Sequence, residues 1–144
     1  MKISTKGLYA LRMLVDLAER KDCGFIPLKE ISDRQNISKK YLEQIIPIFN
    51  NTDILRANRG SQGGYMLGKD PSKLTVGEIL RITEGSLCPV ECAAEHGAGS
   101  CDRTMECATF PVWQGLSKVI NEYLDSITLQ DIVDQQHDSF NYII

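Results

Sequence analysis

The reactive residues of this sequence concentrate in one stretch: four of the five cysteines fall between positions 88 and 107. Cys92, Cys101 and Cys107 are spaced C-x8-C-x5-C, and Cys88 stands four residues before the first of them. Short CxxC pairs, the usual mark of a structural zinc site, are absent. Iron–sulfur clusters accept such spacings, because a loop can wrap round the cluster while its thiolates supply the ligands. The spacing thus admits an iron–sulfur cluster and a zinc ion alike, with a disulfide or thiol switch behind them. Cys23 is remote from the group and reads as a bystander thiol.

A second group of residues is suited to nucleic acid. Ser38, Lys39 and Lys40 can hold phosphates. Gln44 can pair with adenine, and Glu43 can accept from cytosine while repelling phosphate, which makes it a discriminator; Tyr41 completes the set. Arg59, beside Gly60, is placed to enter a minor groove or clamp a phosphate, with Arg56 and Asn58 as weaker contributors. Charge is divided in the same sense. Residues 1–70 carry 12 Lys and Arg against 8 Asp and Glu, whereas residues 71–144 carry 4 against 11, within a net charge of −3. A basic end suits nucleic acid, and an acidic end something else.

The elements that must position these groups can be read from periodicity and caps. Leu8, Leu11, Leu14, Val15, Leu17 and Ala18 recur at helical spacing behind an N-cap at Ser4 or Thr5, and Asp22-Cys23-Gly24 ends that helix. A short second helix follows over 27–34, with Pro27 at its mouth. Gln35-Asn36-Ile37 forms a tight turn, and Ser38 caps a third helix expected to run from Lys39 to about Asn50, burying Leu42, Ile45, Ile46 and Phe49. Pro47 should kink or end it. Two helices joined by about three residues form a helix-turn-helix pattern. Strands at 54–58 and 65–68 flank a glycine-rich turn, and a hairpin in this place is a wing. Its glycines are expected to supply positive φ at the tip.

Beyond the wing, Thr75 and Glu78 form a capping box that opens a helix to about Glu84, closed by Gly85-Ser86. Periodicity then disappears from Leu87 to about Thr109, where the cysteines lie. It returns at Pro111 with a stripe of Trp113, Leu116, Ile120, Tyr123 and Ile127, widened by Val112, Val119 and Leu124. Such a 3-4 repeat suits packing along another helix, a twofold mate or this chain's own core. Readers with one helix-turn-helix per chain usually bind paired half-sites, which favours the mate. Thr128 caps a last short helix expected to end at Asp134, before an apolar tail from Phe140 to Ile144. The fold expected is mainly α with a small β-hairpin wing: a winged helix-turn-helix domain over 1–85, a cysteine-rich cluster-binding loop over 86–110, and a dimerisation helix with its tail over 111–144.

Several function classes are excluded at this level. No run approaches the ~20 apolar residues of a membrane span, and Met1-Lys2-Ile3-Ser4 starts no signal peptide, so a cytoplasmic protein is expected. Two histidines, with no nucleophile–base signature and no phosphate loop, leave little from which to build an enzyme.

Met1-Lys2-Ile3-Ser4-Thr5-Lys6-Gly7-Leu8-Tyr9-Ala10 resembles the opening of the IscR/NsrR/CymR family of bacterial winged-helix regulators. Ile37-Ser38-Lys39-Lys40-Tyr41-Leu42-Glu43-Gln44, Arg59-Gly60-Ser61-Gln62-Gly63-Gly64-Tyr65, Val76-Gly77-Glu78 and Leu124-Asp125-Ser126-Ile127-Thr128-Leu129 are also similar to its hallmarks. The resemblance covers nearly the whole chain. It implies a homodimer with a long crossed dimerisation helix and one cysteine-rich loop per subunit, and a double-stranded DNA operator and a repressor's role are expected. In the cluster-bearing branches three loop cysteines hold an iron–sulfur cluster that controls DNA binding, and Cys92, Cys101 and Cys107 occupy the matching places. The 2Fe–2S form is placed ahead of 4Fe–4S, and iron–sulfur, redox or nitric oxide status is the implied signal.

Two departures leave the fourth ligand open. Phe110 stands where one branch has a histidine, and Leu8 where another has an acidic residue on the partner's first helix. Cys88 and His96 come first as candidates, then Glu91, Glu95 or a residue of the other subunit. The cysteine-metabolism branch shares the N-terminus and the aromatic-aliphatic tail. It implies a cluster-free regulator of cysteine and sulfur metabolism controlled by a metabolic-enzyme partner. A zinc-bound regulator is the other alternative.

Overall fold

The computed structural model describes residues 2–94 and 101–142. Its first helix, α1 (Thr5–Glu19), is capped by Ser4, whose hydroxyl accepts from the Gly7 N–H at 3.1 Å. Ala10, Met13, Leu14, Leu17 and Ala18 lie on its buried side. That stripe makes α1 the central element, in contact with α2 (Leu28–Gln35), α3 (Lys39–Ile45), α4 (Val76–Glu84), α6 (Leu129–Tyr142) and the second wing strand. The main core gathers Met13, Leu14 and Leu17 with Ile31, Leu42, Ile45, Phe49, Ile54, Leu74, Ile79 and Leu129. Burial of this kind, at roughly 1.5–3 kcal/mol per large aliphatic side chain, is what holds such short helices together.

The helix-turn-helix is built from α2 and α3. Between them Asn36 takes a left-handed conformation (φ 54°), which asparagine tolerates better than most residues. The third helix is shorter than its sequence pattern suggested. It ends at Ile45 and tightens into a 3-10 turn over Ile46–Phe49. Pro47 has no N–H to donate, and its ring would strike the carbonyl four residues back. Leu42, Ile45 and Phe49 are buried as expected and Ile46 half-buried, so the apolar pattern continues through Phe49 although the α-helix does not.

The wing is an antiparallel pair, β1 (Leu55–Asn58) and β2 (Gly64–Leu67), in register from Leu55 opposite Leu67 to Asn58 opposite Gly64. Of its glycines only Gly60 has positive φ, at 116°. Gly64 serves another purpose, since a side chain there would collide with the Ile26 carbonyl. The backbone at Ile26 pairs with Tyr65 through two 2.8 Å bonds and so docks the wing onto the α1–α2 connection. Positive φ thus occurs at the tip as expected, but at Gly60 alone of the three glycines.

Thr75 caps α4 by accepting from the Glu78 N–H at 3.1 Å. The expected box closes on one side only, because both carboxylate oxygens of Glu78 accept from Lys69 Nζ, at 3.0 and 3.1 Å. A reciprocal box does form at Thr128, where Asp131 and Thr128 exchange bonds of 2.9 and 3.0 Å. It opens α6, which runs to Tyr142 rather than stopping at Asp134. Leu129 and Val133 tuck this helix into the main core. The remaining helix, α5 (Phe110–Asp125), rests on α4. Ile120, Leu124 and Ile127 pack there on a smaller cluster of Val76, Leu80 and Leu87.

Candidate functional site

The N-terminal turn of α3 carries the expected reading residues. Ser38 spends an oxygen lone pair on its cap, accepting from the Tyr41 N–H at 3.1 Å, and keeps its own O–H to donate. Lys39, Lys40, Glu43 and Gln44 are exposed on the same helix. Tyr41 is half-buried, its ring edge-on to Tyr9 with centroids 5.3 Å apart. Arg59 and Gly60 are exposed at the wing tip, apart from α3 in sequence but on the same helix-turn-helix and hairpin unit. The set is therefore presented rather than folded away, on a short helix whose far side is fixed by fully buried Leu42 and Ile45.

Behind this face lies a group that motif reading did not find. Asp16, on the buried side of α1, is 1% exposed. Its carboxylate accepts from Arg34 Nη2 at 2.8 Å and Nε at 3.1 Å, and from Gln35 Nε2 at 2.9 Å, while Arg20 lies 3.5 Å away. The hydrogen bond to Asp16 raises the Arg34 guanidinium pKa above its ordinary value, against the opposing effect of burial. No buried side-chain polar atom among the described residues lacks a partner. The signal was an acid set among Met13, Leu14 and Leu17 on an apolar stripe, where a charge is tolerated only when paired.

The expected dimerisation stripe divides. Ile120 and Ile127 turn inward onto the α4 cluster, and Trp113 is half-buried. Leu116 (41% exposed) and Tyr123 (64%) face outward, joined by Val112 (59%) and Val119 (62%). The outward row is thus Val112, Leu116, Val119 and Tyr123, a 4-3-4 spacing with the phase shifted from the expected one.

The cysteines are free thiols. Cys92 sits half-buried on a 3-10 turn, Glu91–Ala93, that contacts α5. Cys101 is exposed. Cys107 is half-buried, with its sulfur 3.2 Å from the Thr109 hydroxyl, and that hydrogen bond lowers the thiol's pKa below the ordinary range. Cys88 is half-buried, its N–H donating to Ser86 Oγ at 3.1 Å, beside a 710 Å³ cleft between α4 and α5 lined in part by Arg81, Leu87, Ala93, Ser117 and Asn121. Cys23 is exposed beyond the end of α1. His96 and Glu95 lie outside the described residues. Among the described residues no three His, Cys, Asp or Glu side chains converge as a metal site. The donor types suit an iron–sulfur group, with four free thiols on one segment and Cys107 among them biased toward thiolate.

A helix-turn-helix backed by a wing, with an exposed polar and basic reading helix, defines a winged-helix transcription regulator that binds DNA. The family model Rrf2, an iron-dependent transcriptional regulator, matches residues 3–135, and the chain belongs to this family. It is 36% identical over 136 residues to the HTH-type transcriptional regulator IscR of Klebsiella pneumoniae (strain 342), covering 94% of this chain and 82% of that protein. The structure of CymR, the global cysteine regulator of B. subtilis, superposes with a TM-score of 0.80 at 36% identity, covering 94% of this chain and 98% of that one. IscR of T. potens superposes with a TM-score of 0.77 at 36% identity, over 96% and 90%. These relatives are regulators rather than enzymes. No helix among the described residues is long and apolar enough to cross a membrane.

Proposed function

We propose that this chain is a cytoplasmic, homodimeric transcriptional repressor whose hold on operator DNA is governed by an iron–sulfur cluster on Cys92, Cys101 and Cys107. The observation that carries the reading is that Cys92, Cys101 and Cys107 are free thiols, with Cys88 beside them, on the one segment joining α4 to α5, in a chain of a family described as iron-dependent. When bound, the cluster supplies a redox-responsive junction among those thiolates. The rest of the mechanism belongs to the chain's own residues. Thr109 favours the thiolate of Cys107, and Cys92 stands on the turn that contacts α5. A cluster held by Cys92, Cys101 and Cys107 would tie that turn to the segment leading into α5, the helix that carries the outward row. Along that row, Val112, Leu116, Val119 and Tyr123 join two copies, and the two α3 helices enter major grooves about 34–36 Å apart. Lys39, Lys40 and Arg59 hold phosphates, Gln44 and Glu43 read base edges, and residues 1–85, 86–110 and 111–144 act as reader, sensor and dimerisation segments.

Anaerobic purification with an absorption spectrum and counts of iron, sulfide and zinc per chain tests this reading. Matched iron and sulfide in a coloured protein, lost when any of the three cysteines becomes alanine, is the expected result. Zinc alone, or no metal after reconstitution, overturns it. A second reading is favoured by the likeness to the global cysteine regulator, which extends over 98% of that chain. In it the same DNA reader is cluster-free and answers to a metabolic-enzyme partner, and the metal-free outcome selects it.

A further inference from the structure

We infer that Asp16 is a positioning residue for sequence-specific DNA reading, acting through Arg34 and Gln35, with Arg12 of the same helix holding Gln35 beside it, to fix the angle at which α3 meets the groove. This rests on the reading of α3 as the base-contacting helix. Arg34 and Gln35 are the last two residues of α2, directly before the left-handed Asn36 that turns the chain into α3. Both are held by the one buried carboxylate, Arg34 as a fork across its two oxygens and Gln35 on Oδ2. Gln35 is held a second time from α1: Arg12 Nε donates to its side-chain oxygen at 3.4 Å, and Arg12 Nη2 donates to its backbone carbonyl. The Arg12 guanidinium lies 5.4 Å from the centroid of Tyr9, and Tyr9 meets Tyr41 on the first turn of α3. One face of α1 thus grips the end of α2 and the start of α3, the two sides of the turn, through directional contacts.

Packing of the buried Leu42 and Ile45 seats α3 in the core, while a small repack of such apolar side chains still admits slight tilts of the helix. Forked, charge-assisted hydrogen bonds do fix direction. Base contacts need that precision, because a bidentate bond to a base edge is lost with a small tilt, whereas lysines on phosphates follow the backbone. Loss of the Asp16 network therefore costs sequence discrimination before it costs non-specific grip.

The test uses the full chain and a duplex selected by it from a random-sequence pool, compared with an unrelated duplex of equal length. Asp16→Asn is expected to lose about 10-fold or more in affinity for the selected duplex, on the scale of one lost base contact. Its affinity for the unrelated duplex should stay within about twofold, with an unchanged salt slope, because the phosphate contacts are untouched. A parallel loss on both duplexes marks a merely structural role and overturns the inference, as does no loss on either. Should Asp16→Asn fail to fold by circular dichroism, Gln35→Ala carries the same comparison, with a smaller loss confined to the selected duplex. If the unaltered chain selects no sequence at all, the reading of α3 fails first and takes this inference with it.

Discussion

The two halves of the molecule solve the burial problem differently. Around the DNA reader a single core runs from α1 through the helix-turn-helix and is closed by Leu129 and Val133 of α6, and even a buried carboxylate has its hydrogen bonds filled. In the other half α5 has no buried residue, Val112, Val119 and Tyr123 are more than half exposed, and the cysteines are half-buried or exposed. A region that completes its own packing is built to keep one shape. A region that leaves an apolar row and free thiols at its surface is built to be completed from outside. Stability and regulation should therefore separate along the chain.

The largest effect expected from that contrast lies in the core. Leu14 is fully buried at the centre of α1. Leu14→Ala removes its transfer free energy and leaves a cavity, and should lower the unfolding free energy by about 2–5 kcal/mol. A urea titration measures this as a fall in midpoint at constant slope. Cys101→Ala, on the exposed side of the contrast, should shift the midpoint by no more than about 0.5 kcal/mol. Equal shifts would erase the distinction between the halves.

The outward row should respond in assembly. Leu116→Asp places a charge in the middle of the 4-3-4 row while leaving the packing of Ile120 and Leu124 on α4 in place. A dimer joined there should dissociate by sedimentation, and the affinity for a selected duplex should fall about 100-fold, equivalent to about 2.7 kcal/mol. A variant still dimeric would move the interface elsewhere.

How much of this could be read in advance depended on the range of the interaction concerned. The caps at Ser4, Ser38, Thr75 and Thr128 were legible because each is settled within four residues. The second half of the Thr75 box was not, because Lys69 competes for Glu78 from outside the window. The heptad of α5 was visible but its phase was not. Both Val112/Val119 and Ile120/Ile127 make apolar rows, and only the position of Val76 and Leu80 decides which turns inward. The length of α6 was missed for a different reason. From Gln135 to Ser139 the helix is exposed and polar, so its apolar period fades while its backbone continues. In the reading face, Lys39, Lys40, Glu43, Gln44 and Arg59 were accessible to motif reading, whereas Asp16 depends on partners eighteen and nineteen residues away.

A third, smaller effect tests the seam between the halves. Glu84, on the last turn of α4 just before the cysteine segment, accepts from the Ser4 N–H at 3.0 Å and the Ser4 hydroxyl at 2.6 Å. Gly7 faces the same carboxylate, and a methyl group there would collide with it. Gly7→Ala should push the Glu84 carboxylate off its two Ser4 bonds, at about 1–3 kcal/mol, against roughly 1 kcal/mol gained in helix propensity within α1, leaving a small net loss. The loss should shrink in the Gly7→Ala, Glu84→Ala double variant, because the obstacle has gone, so the cycle should be non-additive. Strict additivity would mean that the two residues do not meet.

The smallest effects come from one device used once in each half, an anion stabilised by a nearby hydrogen bond. Asp70 accepts from the Ser72 N–H and hydroxyl, at 2.9 and 2.8 Å, and the backbone bond, more than the hydroxyl, pulls its pKa below the usual carboxylate range. A depressed folded pKa contributes stability at pH values above the unfolded pKa, and that contribution is lost as pH falls through the folded one. Asp70→Ala should therefore lower the thermal midpoint slightly at neutral pH, and the difference should vanish in acid. Cys107 is held toward its anion by Thr109 in the same way, but on the exposed segment, where the consequence is reactivity. The metal-free chain should alkylate at Cys107 in a pH profile displaced downward from that of a cysteine without such a bond. Thr109→Val should move the profile back up while leaving the thermal midpoint in place. If Thr109→Val instead lowered the midpoint as Asp70→Ala does, the cysteine segment would belong to the stable half, and the division between the two halves would have to be drawn after α5 rather than before it.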